Sequence, residues 1–178
     1  MYNLPYTNKQ INIPYLLKIG NGKIYKIGKY LKDKNLPGVA LFLGDGTEEL
    51  VGAELRRGFG DNDINVVHSQ VVSDISIESI TQTAFQLPPA TDVVVGIGGG
   101  KALDFAKYSA HLLRLPFVSV PTSTSNDGFC SPTSSLTVGG RRKTVKSSIP
   151  FGVVIDLDVI RSLSLIHISE PTRPLYIS

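Results

Sequence analysis

An α/β fold, a parallel sheet flanked by helices, is predicted by three features of this 178-residue sequence. Short apolar runs rich in β-branched residues recur along it. They are continuous rather than alternating, as strands covered on both faces require. Between them, apolar residues return at helical spacing, so strand and helix alternate.

The elements follow in order. Ile24, Ile27, Tyr30 and Leu31 form a first helical stripe, and Gly38 to Leu43 is the first apolar run. Thr47 to Arg57 is a second helix candidate, followed by the run Ile64-Asn65-Val66-Val67. Ile77, Ile80, Ala84 and Phe85 form a third stripe, which Pro88-Pro89 stops. Val93 to Ile97 is the next run, then a stripe of Ala102, Phe105, Ala106, Ser109 and Leu113. Phe117 to Val120 and Val153 to Ile155 complete the runs. Before the last of these, Leu136-Thr137-Val138, Gly139-Gly140 and Arg141 to Val145 read as an inserted β-hairpin. Right-handed crossovers between parallel strands place the functional loops at their carboxyl ends.

Composition removes several function classes. Apolar residues make up 42% and charged residues 19%, which supports a packed core rather than a disordered chain. A formal charge of +3 is too small and too dispersed for a nucleic-acid surface. The cluster Arg141-Arg142-Lys143 reads as a solvated turn. No apolar run approaches the roughly 18 residues of a membrane span. Polar Asn3, Thr7, Asn8, Lys9 and Gln10 occupy the place of a signal peptide's apolar stretch. A single cysteine, Cys130, excludes an internal disulfide and a Cys-rich zinc site, and the expected compartment is cytoplasmic.

The most informative segment is Val93-Val94-Val95-Gly96-Ile97-Gly98-Gly99-Gly100-Lys101-Ala102-Leu103-Asp104. An apolar strand enters a glycine-rich turn and leaves as a helix. Glycine allows close backbone approach, and the first turn of a helix offers unpaired N–H groups to an anion. Lys101 adds a cation. The Walker A pattern fails, because Ala102 stands where Ser or Thr is needed and Val95 where the first Gly is needed. The G-x-G-x-x-G fingerprint has Gly96 and Gly98 but Lys101 in third place. A tight packing turn is the bland alternative to phosphate binding. After the next strand comes Pro121-Thr122-Ser123-Thr124-Ser125-Asn126-Asp127-Gly128-Phe129-Cys130-Ser131-Pro132. Crowded with hydroxyls, it is either a polar loop of local turns or the second wall of a ligand crevice.

These segments, with Val154-Ile155-Asp156-Leu157-Asp158, resemble the sn-glycerol-1-phosphate dehydrogenase family. That family lies within the superfamily of dehydroquinate synthase and the iron-containing alcohol and glycerol dehydrogenases. The resemblance implies a Rossmann-like domain binding NAD or NADP, followed in complete members by an all-helical domain. It implies reversible hydride transfer between dihydroxyacetone phosphate and sn-glycerol 1-phosphate, in phospholipid biosynthesis. It assigns the pyrophosphate to Gly98, Gly99, Gly100, Lys101, Ala102, Leu103 and Asp104. Thr122, Ser123, Thr124, Ser125 and Ser131 then meet the nicotinamide half, and Asp127 faces the substrate. Asp45, in Gly44-Asp45-Gly46-Thr47, either bonds the adenine ribose or is an ordinary turn residue. Lys146 is a solvated hairpin lysine in preference to a phosphate ligand.

The resemblance also implies zinc in the full-length protein, and possible homo-oligomers of it. A catalytic zinc site takes three protein ligands. His68, His111 and His167 are too far apart in sequence to suggest one. Residues 1–161 are therefore read as the NAD(P)-binding domain, with the C-terminal helical domain missing. Residues 162–178 resemble a translated sequencing adapter and read as a non-native tail. On that reading the chain keeps weak dinucleotide affinity but lacks dehydrogenase activity. Competing readings are a glycerol or iron-containing alcohol dehydrogenase, a dehydroquinate synthase-like enzyme, and a non-catalytic nucleotide-binding module.

Overall fold

Each apolar run that reads as doubly covered becomes a parallel strand, and each amphipathic stripe becomes a helix over it. In the computed structural model, residues 13–123 and 128–168 are described. The order is β1 (Leu16–Gly20), α1 (Ile27–Lys32), β2 (Gly38–Leu43), α2 (Thr47–Gly60), β3 (Asn65–Val71), α3 (Ile77–Gln86) and β4 (Val93–Gly98). Then come α4 (Gly100–Leu113), β5 (Phe117–Pro121), β6 (Thr133–Val138), β7 (Arg141–Lys146), β8 (Gly152–Asp156) and α5 (Leu157–Ile168).

Six strands form one parallel sheet in the order β1-β8-β5-β4-β2-β3. From β2 the chain moves outward to β3, returns past β2 to β4, and continues the other way to β5. The direction of winding reverses between β2 and β4, where open α/β sheets hold their ligands. The expected hairpin is present as antiparallel β6 and β7, turning through Gly139 and Gly140 at φ 57° and 75°.

Strand alternation divides the core in two. Val39, Leu41 and Leu43 of β2 and Val93, Val95 and Ile97 of β4 pack with Ile27, Leu31, Val51 and Leu55 of α1 and α2. Ala40, Phe42 and Val94 pack on the other face with Ile80 of α3, Phe105 and Ala106 of α4, and Leu136 of the hairpin. Asp156, at the end of β8, is 2% exposed. Its carboxylate accepts from the backbone N–H of Ile24 at 2.8 Å and of Asp158 at 3.0 Å, tying the first turn of α5 to the turn that precedes α1.

Three features differ from the sequence reading. Strand β1 is additional; it is an edge strand, with Leu17 and Ile19 exposed. Strand β3 is the opposite edge and is mostly open to solvent, so it is not covered on both faces. Helix α5 continues to Ile168, into the segment read as a tail. Leu163 packs against the first core, and the two prolines of the segment come later, at 171 and 174. Residues 169–178 lie outside the described residues.

Candidate functional site

The carboxyl ends of β2, β3, β4 and β5 open into a cleft of about 870 Å³. Its lining comprises Gly44, Asp45, Gly46, Thr47 and Leu50 after β2, and Val71, Val72 and Ser73 at the end of β3. Gly99, Gly100, Lys101 and Ala102 begin α4, Thr122 and Ser123 follow β5, and Ile160 and Leu163 come from α5.

Backbone contacts fix the turns against one another. Gly44 N donates to Ile97 O at 2.8 Å, and Thr122 N donates to Gly98 O at 3.1 Å. Gly98 has φ +144°, and a Cβ there would lie 2.9 Å from Gly44 N and 3.0 Å from Gly44 Cα. Only glycine lets the β2 and β4 turns close to this separation. Its neighbour Gly99 is different: φ is −79°, ψ is −176°, and among the described residues nothing lies within 4 Å of a Cβ built on it. One glycine closes the turn and the next leaves a concavity at the helix start.

Helix α4 has no side-chain cap and no acidic residue in its first turn. Its first backbone bond joins Leu103 N to Gly99 O at 3.2 Å. The N–H groups of Gly100, Lys101 and Ala102 precede that bond and have no partner four residues back. Exposed Lys101 stands beside them. Helix α2 starts at the same cleft but carries Glu48 and Glu49 in its first turn. The field therefore directs an anion to α4 rather than α2.

The structure brings Asp45, Gly99, Gly100, Lys101, Ala102, Thr122 and Ser123 to one cleft, with Gly98 buttressing it. Leu103, Asp104 and Ser131 are placed elsewhere. Leu103 is buried in the second core, and its N–H is spent inside the helix. Asp104 points toward the hairpin, accepting from Ser135 N at 3.1 Å, with Lys107 Nζ at 3.3 Å. Ser131 Oγ donates to Thr133 O at 3.0 Å. A helix turns about 100° per residue, so consecutive residues after the first turn cannot all face one ligand. Thr124, Ser125 and Asp127 lie outside the described residues. Sequence reasoning missed Thr47, Leu50 and Val71 to Ser73, although a strand's carboxyl end was a signal for the last three. It also missed Ile160 and Leu163, which no motif marks.

Burial pushes the Cys130 thiol up, against the pull of the Lys107 charge. At neutral pH it is a thiol rather than the nucleophilic thiolate. Among the described residues no three His, Cys, Asp or Glu side chains form a group able to hold a metal ion. The His68 ring lies tilted against Phe42 with centroids 5.5 Å apart, and His111 Nδ1 lies 2.9 Å from Ser148 Oγ. The zinc implied by the resemblance does not fit these residues, and no chemical step is assigned to it. A diphosphate does fit: bare N–H donors, an adjacent cation and an open glycine concavity form a cradle that a side chain would fill. Among the described residues, no helix is long and apolar enough to cross a membrane.

The chain is similar to known proteins in sequence and in fold. The glycerol-1-phosphate dehydrogenase [NAD(P)+] of Metallosphaera sedula is 35% identical over 156 residues, covering 85% of this chain and 43% of that protein. The chain thus spans less than half the length of the curated relatives it matches. The crystal structure of glycerol dehydrogenase from Schizosaccharomyces pombe is 27% identical with a TM-score of 0.72, covering 83% of this chain and 38% of that one. Sulfoacetaldehyde reductase from Bifidobacterium kashiwanohense, solved with NAD+, shares the fold at a TM-score of 0.72 and 17% identity, covering 85% and 47%. Residues 18–162 match the iron-containing alcohol dehydrogenase family, and the chain belongs to that family.

Proposed function

We propose that the cleft binds NAD(H) or NADP(H), and that this chain is the cofactor-binding part of an sn-glycerol-1-phosphate dehydrogenase. One observation carries the reading: the α4 cradle sits where the sheet's winding reverses, flanked on both sides by lining from neighbouring strands. The strand order sets how a dinucleotide would lie. The pyrophosphate rests over the start of α4, held by the N–H groups of Gly100 and Ala102 and by Lys101. The adenine half lies toward β2 and β3, against Asp45. The nicotinamide half lies toward β5, against Thr122 and Ser123.

The cofactor supplies the hydride. The chain's residues bind, orient and enclose it. Asp45 is exposed at the adenine end, where a carboxylate accepts from a ribose 2′-hydroxyl and repels a 2′-phosphate. The substrate pair, dihydroxyacetone phosphate and sn-glycerol 1-phosphate, is supported by the relatives' names, and Asp127 is the residue proposed to face it.

Titration of the chain with NADH, followed by cofactor fluorescence, tests the reading. Binding at about millimolar or tighter is expected. Lys101→Met should weaken it about two- to fivefold, the effect of one charge at a helix terminus. The weakening should shrink as salt rises. No binding by folded wild-type chain at millimolar cofactor refutes the proposal.

A further inference from the structure

Between Ile13 and Lys34 the chain carries Lys18, Lys23, Lys26, Lys29, Lys32 and Lys34 against a single acid, Asp33. Lys32 pairs with Asp63 at 2.8 Å, and the other lysines form no ion pair among the described residues. The fold gathers them where α1 meets the open edge of β1. Lys18 Nζ lies 5.5 Å from the Tyr30 ring centre, and Lys34 Nζ lies 4.5 Å from that of Tyr15. A Cβ built on Gly20 would lie 3.5 Å from Lys23 Nζ, so that ammonium stands at the carboxyl end of β1. Helix α1 buries Ile27 and Leu31, and at about 100° per residue Lys26 and Lys29 point away from them.

Apolar side chains share this corner. Ile13, Tyr15, Leu17 and Ile19 are 76%, 70%, 55% and 55% exposed. One lysine suffices to keep a sheet edge from pairing, but the lysines of α1 lie off the edge and meet no such need. A second copy paired antiparallel and centred on β1 would set two Lys18 side chains directly opposite, which destabilises. A nucleic-acid backbone would take the cations and leave the aliphatic side chains in water. An anionic bilayer takes both, with phosphate headgroups on the ammonium groups and the tyrosine and aliphatic side chains at the acyl boundary.

We propose that the β1–α1 corner docks on an anionic phospholipid surface. None of its residues lines the cofactor cleft, so docking and cofactor binding can be measured apart.

The test is co-sedimentation of the whole chain with vesicles of phosphatidylcholine containing about one-third phosphatidylglycerol. Binding is expected, weakening as salt rises and at least about tenfold weaker on phosphatidylcholine alone. Lys18→Gln with Lys29→Gln should weaken it about 25-fold, roughly fivefold for each lysine. Leu17→Ser with Ile19→Ser should weaken it about tenfold even at high salt. Lys143→Gln, on the hairpin, should bind as wild type. Thermal midpoints accompany each titration; if the Leu17–Ile19 variant does not fold, the exposed lysine pair decides against Lys143→Gln. No binding by folded wild-type chain overturns the proposal, as does equal binding to neutral vesicles or an equal loss at Lys143. Duplex DNA bound as tightly as vesicles, with the lysine dependence alone, overturns it in favour of a nucleic-acid surface. A stable dimer that Leu17→Ser with Ile19→Ser dissociates overturns it in favour of self-association.

Discussion

Gly98 and Gly99 are adjacent, yet alanine at each should give opposite phenotypes. At Gly98 the backbone lies at φ +144°, and the added methyl would stand 2.9 Å and 3.0 Å from Gly44 N and Cα. The first term costs about 1–3 kcal/mol, as strained backbone does. The second costs about 1–3 kcal/mol more, because the obstructing atoms are main chain and cannot swing aside. A total of about 2–6 kcal/mol lowers the melting temperature by roughly 5–20 °C for a chain of this size. At Gly99 the φ of −79° suits alanine, and among the described residues nothing lies within 4 Å of the new carbon. Stability there should be unchanged or higher by about 0.4–1 kcal/mol, from the less flexible unfolded chain. The same methyl occupies the concavity where a diphosphate meets the helix start. Overpacking of about 1–3 kcal/mol weakens NADH binding roughly 5- to 150-fold. Thermal melts and NADH titrations of both variants, made below their melting points, read out the pair. Gly99→Ala binding as tightly as wild type refutes the close backbone approach. Gly98→Ala as stable as wild type refutes the contact between the two turns.

Two more predictions concern charge. Asp45→Ala should narrow a wild-type preference for NADH over NADPH by about fivefold, the modest effect of an exposed carboxylate. Competitive titration with both cofactors checks it, and an unchanged ratio reduces Asp45 to a turn residue. Stability should also fall in acid. The Lys32 ammonium holds the Asp63 carboxyl below its ordinary value, and the Ser76 hydroxyl and N–H do the same for Asp74. Both groups bind a proton more readily in the unfolded chain. Their contribution is present above the ordinary carboxylate value of 3.8 and is lost as pH falls through the lower folded values. Urea melts of wild type against Lys32→Met and Ser76→Ala should show a flatter acid limb in the variants; parallel limbs contradict the assignment.

The sequence made β2, β4 and β5 legible because both faces of each are buried, which forces unbroken runs of β-branched residues. Edges carry no such constraint. Strand β1 is five residues long, pairs among the described residues with β8 alone, and shows Leu17, Lys18 and Ile19 to solvent, so it leaves no periodic mark. Strand β3 is visible only at its start, since His68, Ser69 and Gln70 read as polar chain. The cradle was legible for a chemical reason: several glycines between an apolar strand and a helix are costly unless the backbone needs them. The rest of the motif was overread because sequence is linear and a helix is not. Leu103 and Asp104 follow the cradle directly but rotate into the core and toward the hairpin. Lys107 sits among Ala106 and Ala110 on an apolar stripe and signals nothing until the carbonyls of Gly128 and Thr133 are brought to it.

Two helix starts meet in the cleft, and their difference gives a ligand its direction. Strands β2 and β4 are neighbours, so α2 and α4 begin side by side with their positive ends toward the same space. Glu48 and Glu49 offset that field at α2, and Asp45 adds a third carboxylate before it. The first turn of α4 holds no acidic residue to offset it, and Lys101 reinforces it. A molecule with a central diphosphate and a neutral sugar can satisfy both ends at once, phosphate on α4 and hydroxyls toward α2. Reversing it, or placing a second phosphate at the α2 end, sets like charges together in a half-enclosed site where water screens them less. Orientation thus comes from where acidic residues are absent as much as from where the cation stands. Gly98, where a Cβ would lie 2.9 Å from Gly44 N, holds the two turns close enough for that difference to be felt.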